Sequence, residues 1–156
     1  MPSNCPEIIH LIGTNYMNDR IFIDTNLWIY SYSKDDKSNK CKELLDRHFE
    51  NVNISTQVLG EIFSVLTKKN IKTKEEAREI IADLTSGFSV TDVLTATVNK
   101  AVDVSIKYAF SYWDSLIIAS ALESNCTILY TEDMQDRQVI DNKLRIVNPF
   151  GVKKFA

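Results

Sequence analysis

Arg20-Ile21-Phe22-Ile23-Asp24-Thr25-Asn26 is the stretch that decides the fold. Its apolar centre reads as a strand over residues 20–24, and the strand ends on a carboxylate where an apolar or small residue would be usual. From Ile21 onward, short β-branched apolar runs alternate with longer helical stretches, the pattern of βαβ units and a mainly parallel sheet. Ligands of open α/β sheets bind beyond the carboxyl ends of the strands, so Asp24 stands where chemistry is expected.

Working outward, helices are expected over 26–32 and 38–49, and a strand over 52–55. Ser55 or Thr56 then caps a helix whose Val58, Leu59, Ile62, Phe63, Val65 and Leu66 recur at helical spacing. A further helix over 74–84 opens on a Thr73–Glu76 capping box and is ended by Gly87. Strand 88–90, helices 94–108 and 111–122, and strands 126–130 and 144–147 complete the pattern before Pro149. Two of the three prolines fall in residues 1–19, which read as an N-terminal extension to one domain over 20–150, with a tail at 151–156. Met17 would leave only a short lead-in and is the expected physiological start. The four glycines are too scattered for a phosphate-binding loop.

Composition narrows the chemistry. At 156 residues, 44% hydrophobic and 25% charged, the chain is one globular domain, able to bury about two-thirds of its unfolded surface without disulfide or metal staples. Three cysteines without a CxxC pair and two histidines make no zinc shell, and the thiols read as reduced in a cytoplasmic protein. The histidine count also leaves little for a His-centred triad, so ionisable chemistry must lean on carboxylates. A net charge of −3 gives no basic footprint for nucleic acid, unless several acids are sequestered in a metal site. No run approaches about 18 apolar residues, so no membrane span is expected, and no secretory signal is legible.

Four acids occupy places that would ordinarily be apolar or small: Asp24, Glu61, Asp114 and Asp133. Each has a structural reading of its own. Asp24 could turn the chain, Glu61 could hold its head in water at the edge of its helix, Asp114 could be the N3 partner of a Ser111 cap, and Asp133 could be a turn acid. Yet Asp24 and Asp133 each follow a strand, while Glu61 shares a face with Val58, Ile62 and Val65, and Asp114 opens an apolar helix. All four can reach one edge of the sheet.

In these contexts (DTN after an apolar strand, Glu within an apolar helix, YWDSLIIASAL, LYTEDMQ, LRIVNPF) the chain from about 20 to 150 resembles the PIN-domain ribonucleases, in particular VapC-type toxins of toxin–antitoxin modules. The resemblance implies a three-layer PIN-like fold, α/β with a central mainly parallel sheet flanked by helices. It implies an acidic catalytic quartet of Asp24, Glu61, Asp114 and Asp133, braced by Thr25, Asn26 and Thr131. It also implies an RNA substrate, a cognate antitoxin and a homodimer. Two features depart from the family: the N-terminal extension is long, and Asp136-Arg137 replaces a His-Gly that many relatives carry.

Carboxylates in such number suit Mg2+ (or Mn2+), a hard cation held by oxygen ligands that activates water against a phosphodiester. Asp24 and Asp114 would be primary ligands, with Asp133 and Glu61 completing the site. The basic run Thr67–Lys74 could guide a phosphate backbone or be a solvated helix end. Tyr112 or Trp113 could stack a base, one of the pair being core. The helices before Glu61 and around Leu116–Ala121 could offer faces to a second copy or to an antitoxin. Two rivals remain: a non-catalytic PIN-like module, and an aspartate-nucleophile phosphohydrolase, which would want an acid where Asn26 stands.

Overall fold

The computed structural model describes residues 19–151. All but residue 19 of the extension expected over 1–19, the Met17 start, Cys5, His10 and most of the tail lie outside the described residues. Strand β1 is Ile21–Ile23, followed by α1 (Thr25–Tyr32), α2 (Ser38–His48) and a 3-10 turn over Phe49–Asn51. Next come β2 (Val52–Ser55), α3 (Thr56–Lys68), α4 (Lys74–Gly87) and β3 (Ser89–Thr91). Helices α5 (Thr95–Tyr108) and α6 (Tyr112–Glu123) lead to β4 (Ile128–Tyr130), β5 (Val139–Ile140) and β6 (Leu144–Val147).

The sheet order is β3-β2-β1-β4-β6-β5, parallel throughout except for β5 against β6. Chain progress runs from β1 outward to β3, then jumps back across to β4. Right-handed crossovers therefore place α1–α4 on one face and α5–α6 on the other, which makes three layers. The reversal also puts a topological switch point between β1 and β4, above the carboxyl ends of both. β1 is fully buried, each of its residues at 0% exposure, as a central parallel strand covered on both faces must be.

Several boundaries differ from the expected ones for local reasons. β1 stops at Ile23 because Asp24 turns inward to cap α1, its carboxylate accepting from the Thr25 N–H at 2.7 Å. β4 starts late because Cys126 still belongs to the exit of α6, its N–H bonding to the Ala121 carbonyl. The capping box at Thr73 forms as expected, and α4 runs on to Gly87. The short strand β5 was not foreseen. It is the first arm of a hairpin whose turn residues Asp141 and Asn142 both take left-handed φ (50° and 55°), closed by a Lys143 N–H to Ile140 carbonyl bond of 2.9 Å, a primed turn. With four glycines in the chain, asparagines at 70, 125 and 142 take left-handed positions that glycine usually fills.

One expected surface is absent. The helix around Leu116–Ala121 offers no free face, since Ser115 through Ala121 are all buried; it is hydrophobic on every side because the sheet and α5 enclose it. An exposed apolar stripe lies instead on and just before α5, where Leu94, Val102 and Ile106 are 62%, 44% and 79% exposed. Cys41 and Cys126 are free, buried thiols. No helix among the described residues is long and apolar enough to cross a membrane.

The hairpin is fastened to α5 at Asp141, whose carboxylate accepts from Lys100, Lys107 and the Tyr108 hydroxyl. These partners, Lys100 foremost, hold it below the usual carboxylate range. Tyr108 Oη also accepts from the Asp141 N–H at 2.9 Å. Tyr108→Phe removes both bonds and is expected to cost about 1–2 kcal/mol, read in urea denaturation. An unchanged midpoint would mean that the two lysines alone hold the turn.

Candidate active site

The turn after β1, the middle of α3, the start of α6 and the loop after β4 meet at the switch point. Asp24, Glu61, Asp114 and Asp133 all line one open cavity there of about 200 Å³, together with Thr25, Asn26, Gln57, Val65, Trp113 and Ile117. No lysine, arginine or histidine is among these residues. All four acids singled out in the sequence are thus brought to one place, from four separate elements.

Each is aimed by a local partner. Asp24 is buried, with one oxygen on the Thr25 N–H and the other accepting from Thr131 Oγ1 at 2.7 Å. Thr131 Oγ1 in turn accepts from the Asp133 N–H at 3.2 Å, which sets the loop that carries Asp133. Asn26 Nδ2 donates to Asp133 at 2.8 Å. Thr25 Oγ1 donates to Glu61, whose other oxygen accepts from Gln57 Nε2 at 2.9 Å. Asp114 is indeed the N3 residue of the Ser111 cap through its backbone N–H, yet its side chain lines the cavity. Both readings of this residue hold, because the cap engages the main-chain N–H while the carboxylate stands at the cavity.

Electrostatics follow from burial and crowding. Burial pushes the Asp24 carboxyl up to about 6; the Thr131 and Thr25 hydrogen bonds oppose the rise, and the charges of Asp133 and Glu61 add to it. Asp114 is also raised, first by burial and then by the same two acids, against its Ser111 bond. These are the signs of anionic groups that lack a counter-charge. Among the described residues no three His, Cys, Asp or Glu side chains are drawn tightly enough together to hold an ion as they stand. The reason is visible in the bonds above: Glu61 and Asp133 are tied sideways to Thr25, Gln57 and Asn26, which keeps like charges apart. The donor set itself, four carboxylates with no cation beside them among the described residues, fits a hard divalent cation.

Sequence reasoning missed Gln57 and the support behind Asp133. Gln57 lies four residues before Glu61 on α3, a helical spacing that could have revealed it, and it also bonds to the Trp113 carbonyl at 3.3 Å. Behind the loop, Glu132 accepts from Tyr30 Oη and pairs with Lys37. Lys37 Nζ lies 5.0 Å from the Tyr30 ring centre and 4.7 Å from that of Phe150. Of the two aromatics, Tyr112 packs against Ala101, Leu116 and Ala119, while Trp113, 64% exposed, stands at the cavity. Lys68 ends α3 seven residues past Glu61, about 10 Å of helix rise, so the basic run begins at a helix end two turns from the nearest of the acids.

An α/β domain with a carboxylate cavity at its switch point is thus defined. The PIN domain family matches residues 21–139, and the chain belongs to that family. A search of curated proteins by sequence finds no match. Among solved structures, the chain is similar to a toxin–antitoxin complex from Klebsiella pneumoniae, with TM-score 0.66 at 20% identity over 85% of this chain and 99% of that one. It is also similar to VapC20 of Mycobacterium tuberculosis, a toxin that cleaves the sarcin–ricin loop, with TM-score 0.61 at 21% identity over 72% and 91%. A DNA-bound VapBC from Salmonella typhimurium gives TM-score 0.62 at 19% identity over 82% and 96%.

Proposed function

We propose that the domain over 20–150 is a metal-dependent endoribonuclease, the toxin of a toxin–antitoxin pair acting in the cytoplasm. The observation that carries this reading is the convergence of Asp24, Glu61, Asp114 and Asp133 on a cavity whose lining, among the described residues, holds no cation. Asp24 and Asp114 would hold Mg2+ or Mn2+, with Asp133 and Glu61 completing the site. A divalent cation there supplies activation of water and neutralises charge on the scissile phosphate. The protein's own part is positioning: Thr131 and the Thr25 N–H fix both Asp24 oxygens, Asn26 holds Asp133, and Thr25 with Gln57 holds Glu61. Trp113 offers an exposed ring at the rim for an unpaired base.

Likeness to toxin–antitoxin complexes supports an antitoxin chain as partner. Self-association is assigned to α5 and its N-cap, where Leu94, Val98, Val102 and Ile106 recur every four residues. The stripe reads much the same in both directions, with its larger side chains at the ends and valines between, as an isologous contact requires.

The test is cleavage of single-stranded RNA by purified protein with Mg2+ or Mn2+, and with EDTA as control. Asp114→Asn should lower the rate by at least about a hundredfold, the upper end of what disturbing a ligand's own support costs. Binding without turnover would favour a non-catalytic PIN module. Hydrolysis of a chromogenic phosphate ester in place of RNA would favour the phosphohydrolase reading.

A further inference from the structure

A second cavity, about 550 Å³, opens beside the carboxylate edge, walled by Asp136, Arg137, Val139, Arg145, Val147 and Asn148 among others. We propose that it holds the sugar–phosphate backbone of the single-stranded RNA whose cleavage is placed at Asp24; the inference rests on the nuclease reading and locates the substrate's path.

Position is the first argument. Asp136 lies three residues past Asp133 in the loop after β4, and its carboxylate accepts from the Asn148 N–H just past β6 at 2.8 Å. β6 is separated from β1 by β4 alone, so the β6 wall of this cavity lies two strand spacings, about 10 Å, from the strand that ends at Asp24. A phosphate chain crossing one site can reach the other.

Charge is the second argument. The cavity of four acids repels a phosphodiester except at a bound cation, so the flanking phosphates need cations elsewhere, on a chain whose net charge is −3. Lys37, near the Asp133 loop, is already paired with Glu132. Arg145 forms no ion pair among the described residues, and Arg137 makes only a 3.9 Å contact with its neighbour Asp136 while its side chain is 81% exposed. Two guanidiniums face solvent with their donors unspent, suited to phosphate oxygens.

The third argument is backbone strain. Arg137 takes φ 68°, a left-handed conformation that a side chain of this kind adopts only at a cost. Its N–H bonds to the Ile146 carbonyl at 2.8 Å, which holds it there. Glycine would adopt this conformation freely, and residues held in strained backbone gather at functional sites.

The test uses fluorescence anisotropy of a labelled single-stranded RNA in EDTA, so that nothing is cut, across a KCl titration. Wild type is compared with Arg137→Gly, Arg145→Ala, the double variant, and a Lys40→Ala/Lys42→Ala variant that removes the same charge from α2. The double variant should bind more weakly, and its slope of log K against log salt should be shallower by about 1.4, two single-strand contacts. The α2 variant should keep the wild-type slope. Arg137→Gly should melt no lower than wild type, which removes unfolding as the cause. An unchanged slope, or an equal change in the α2 variant, overturns the proposal. So does loss of binding to polyglutamate with RNA binding intact, which would make the cavity a seat for an acidic protein segment. Cleavage by the wild type with Mn2+, measured separately, keeps the two readings apart. Cleavage with an unchanged slope sinks this subsite alone, whereas a changed slope without cleavage sinks the nuclease and leaves an RNA-binding groove.

Discussion

Asp24→Asn is expected to abolish RNA cleavage and at the same time to raise the melting temperature of the metal-free protein at pH 7. Burial, with the charges of Asp133 and Glu61 adding to it, lifts the Asp24 carboxyl from its ordinary 3.8 to about 6. Between those two values the folded state keeps a proton that the unfolded chain has released. Stability therefore falls as pH rises through this window and stays low above it. A shift of this size corresponds to at most about 3 kcal/mol withheld from the fold at neutral pH. Asparagine has the same shape and can preserve both contacts, its Oδ1 accepting from the Thr25 N–H and its Nδ2 donating to Thr131 Oγ1. What it removes is the charge. Melts at pH 4.5 and pH 7.5 in EDTA should show a wild-type loss on going to the higher pH that is much smaller in the variant. Equal pH dependence in both proteins would mean that Asp24 is not the group responsible. Retained cleavage would remove it from the catalytic site altogether.

The four acids were legible together: each had an ordinary structural reading alone, but all stood at places usually apolar or small and could reach one sheet edge. A strand that ends on a carboxylate, or an apolar helix with an acid on its buried face, costs stability unless the position has another use. Thr25, Asn26 and Thr131 came with the resemblance, and each is hydrogen-bonded to one of the acids. Gln57 left a weaker trace, since a glutamine near a helix start is ordinary. The Tyr30–Lys37–Glu132 cluster left none: its members are far apart in sequence and each is unremarkable alone, so only the packing of α1 against the loop after β4 reveals them. The β5–β6 hairpin was hidden because two residues of strand show no periodicity, and Asp-Asn is a less familiar turn pair than Asn-Gly. The burial of α6 was misjudged for a different reason. An apolar helix reads the same whether its faces meet solvent, a partner or the protein's own sheet, and the choice depends on what the topology lays over it.

Trp28→Ala should be the most damaging single change outside the acids. Trp28 is 1% exposed and meets Phe88 edge to face, with ring centres 5.2 Å apart. Truncation leaves a cavity that the rigid β1–β3 region cannot refill, at a cost of about 3–5 kcal/mol. A domain of ordinary stability has about 5–15 kcal/mol in total, so the variant should melt about 10 °C lower or fail to accumulate. The residue also bears on the site, because its indole N–H donates to the Ile23 carbonyl at 3.0 Å, the residue immediately before Asp24. Trp28→Phe separates the two roles: it keeps much of the packing and deletes that bond, for about 1–2 kcal/mol. The phenylalanine variant should therefore stay folded while cleaving RNA more slowly, since the end of β1 that presents Asp24 has lost one of its fixings. If it loses stability and keeps the full wild-type rate, the indole serves the core alone, and the hydrogen bonds from Thr25 and Thr131 suffice to aim the carboxylate.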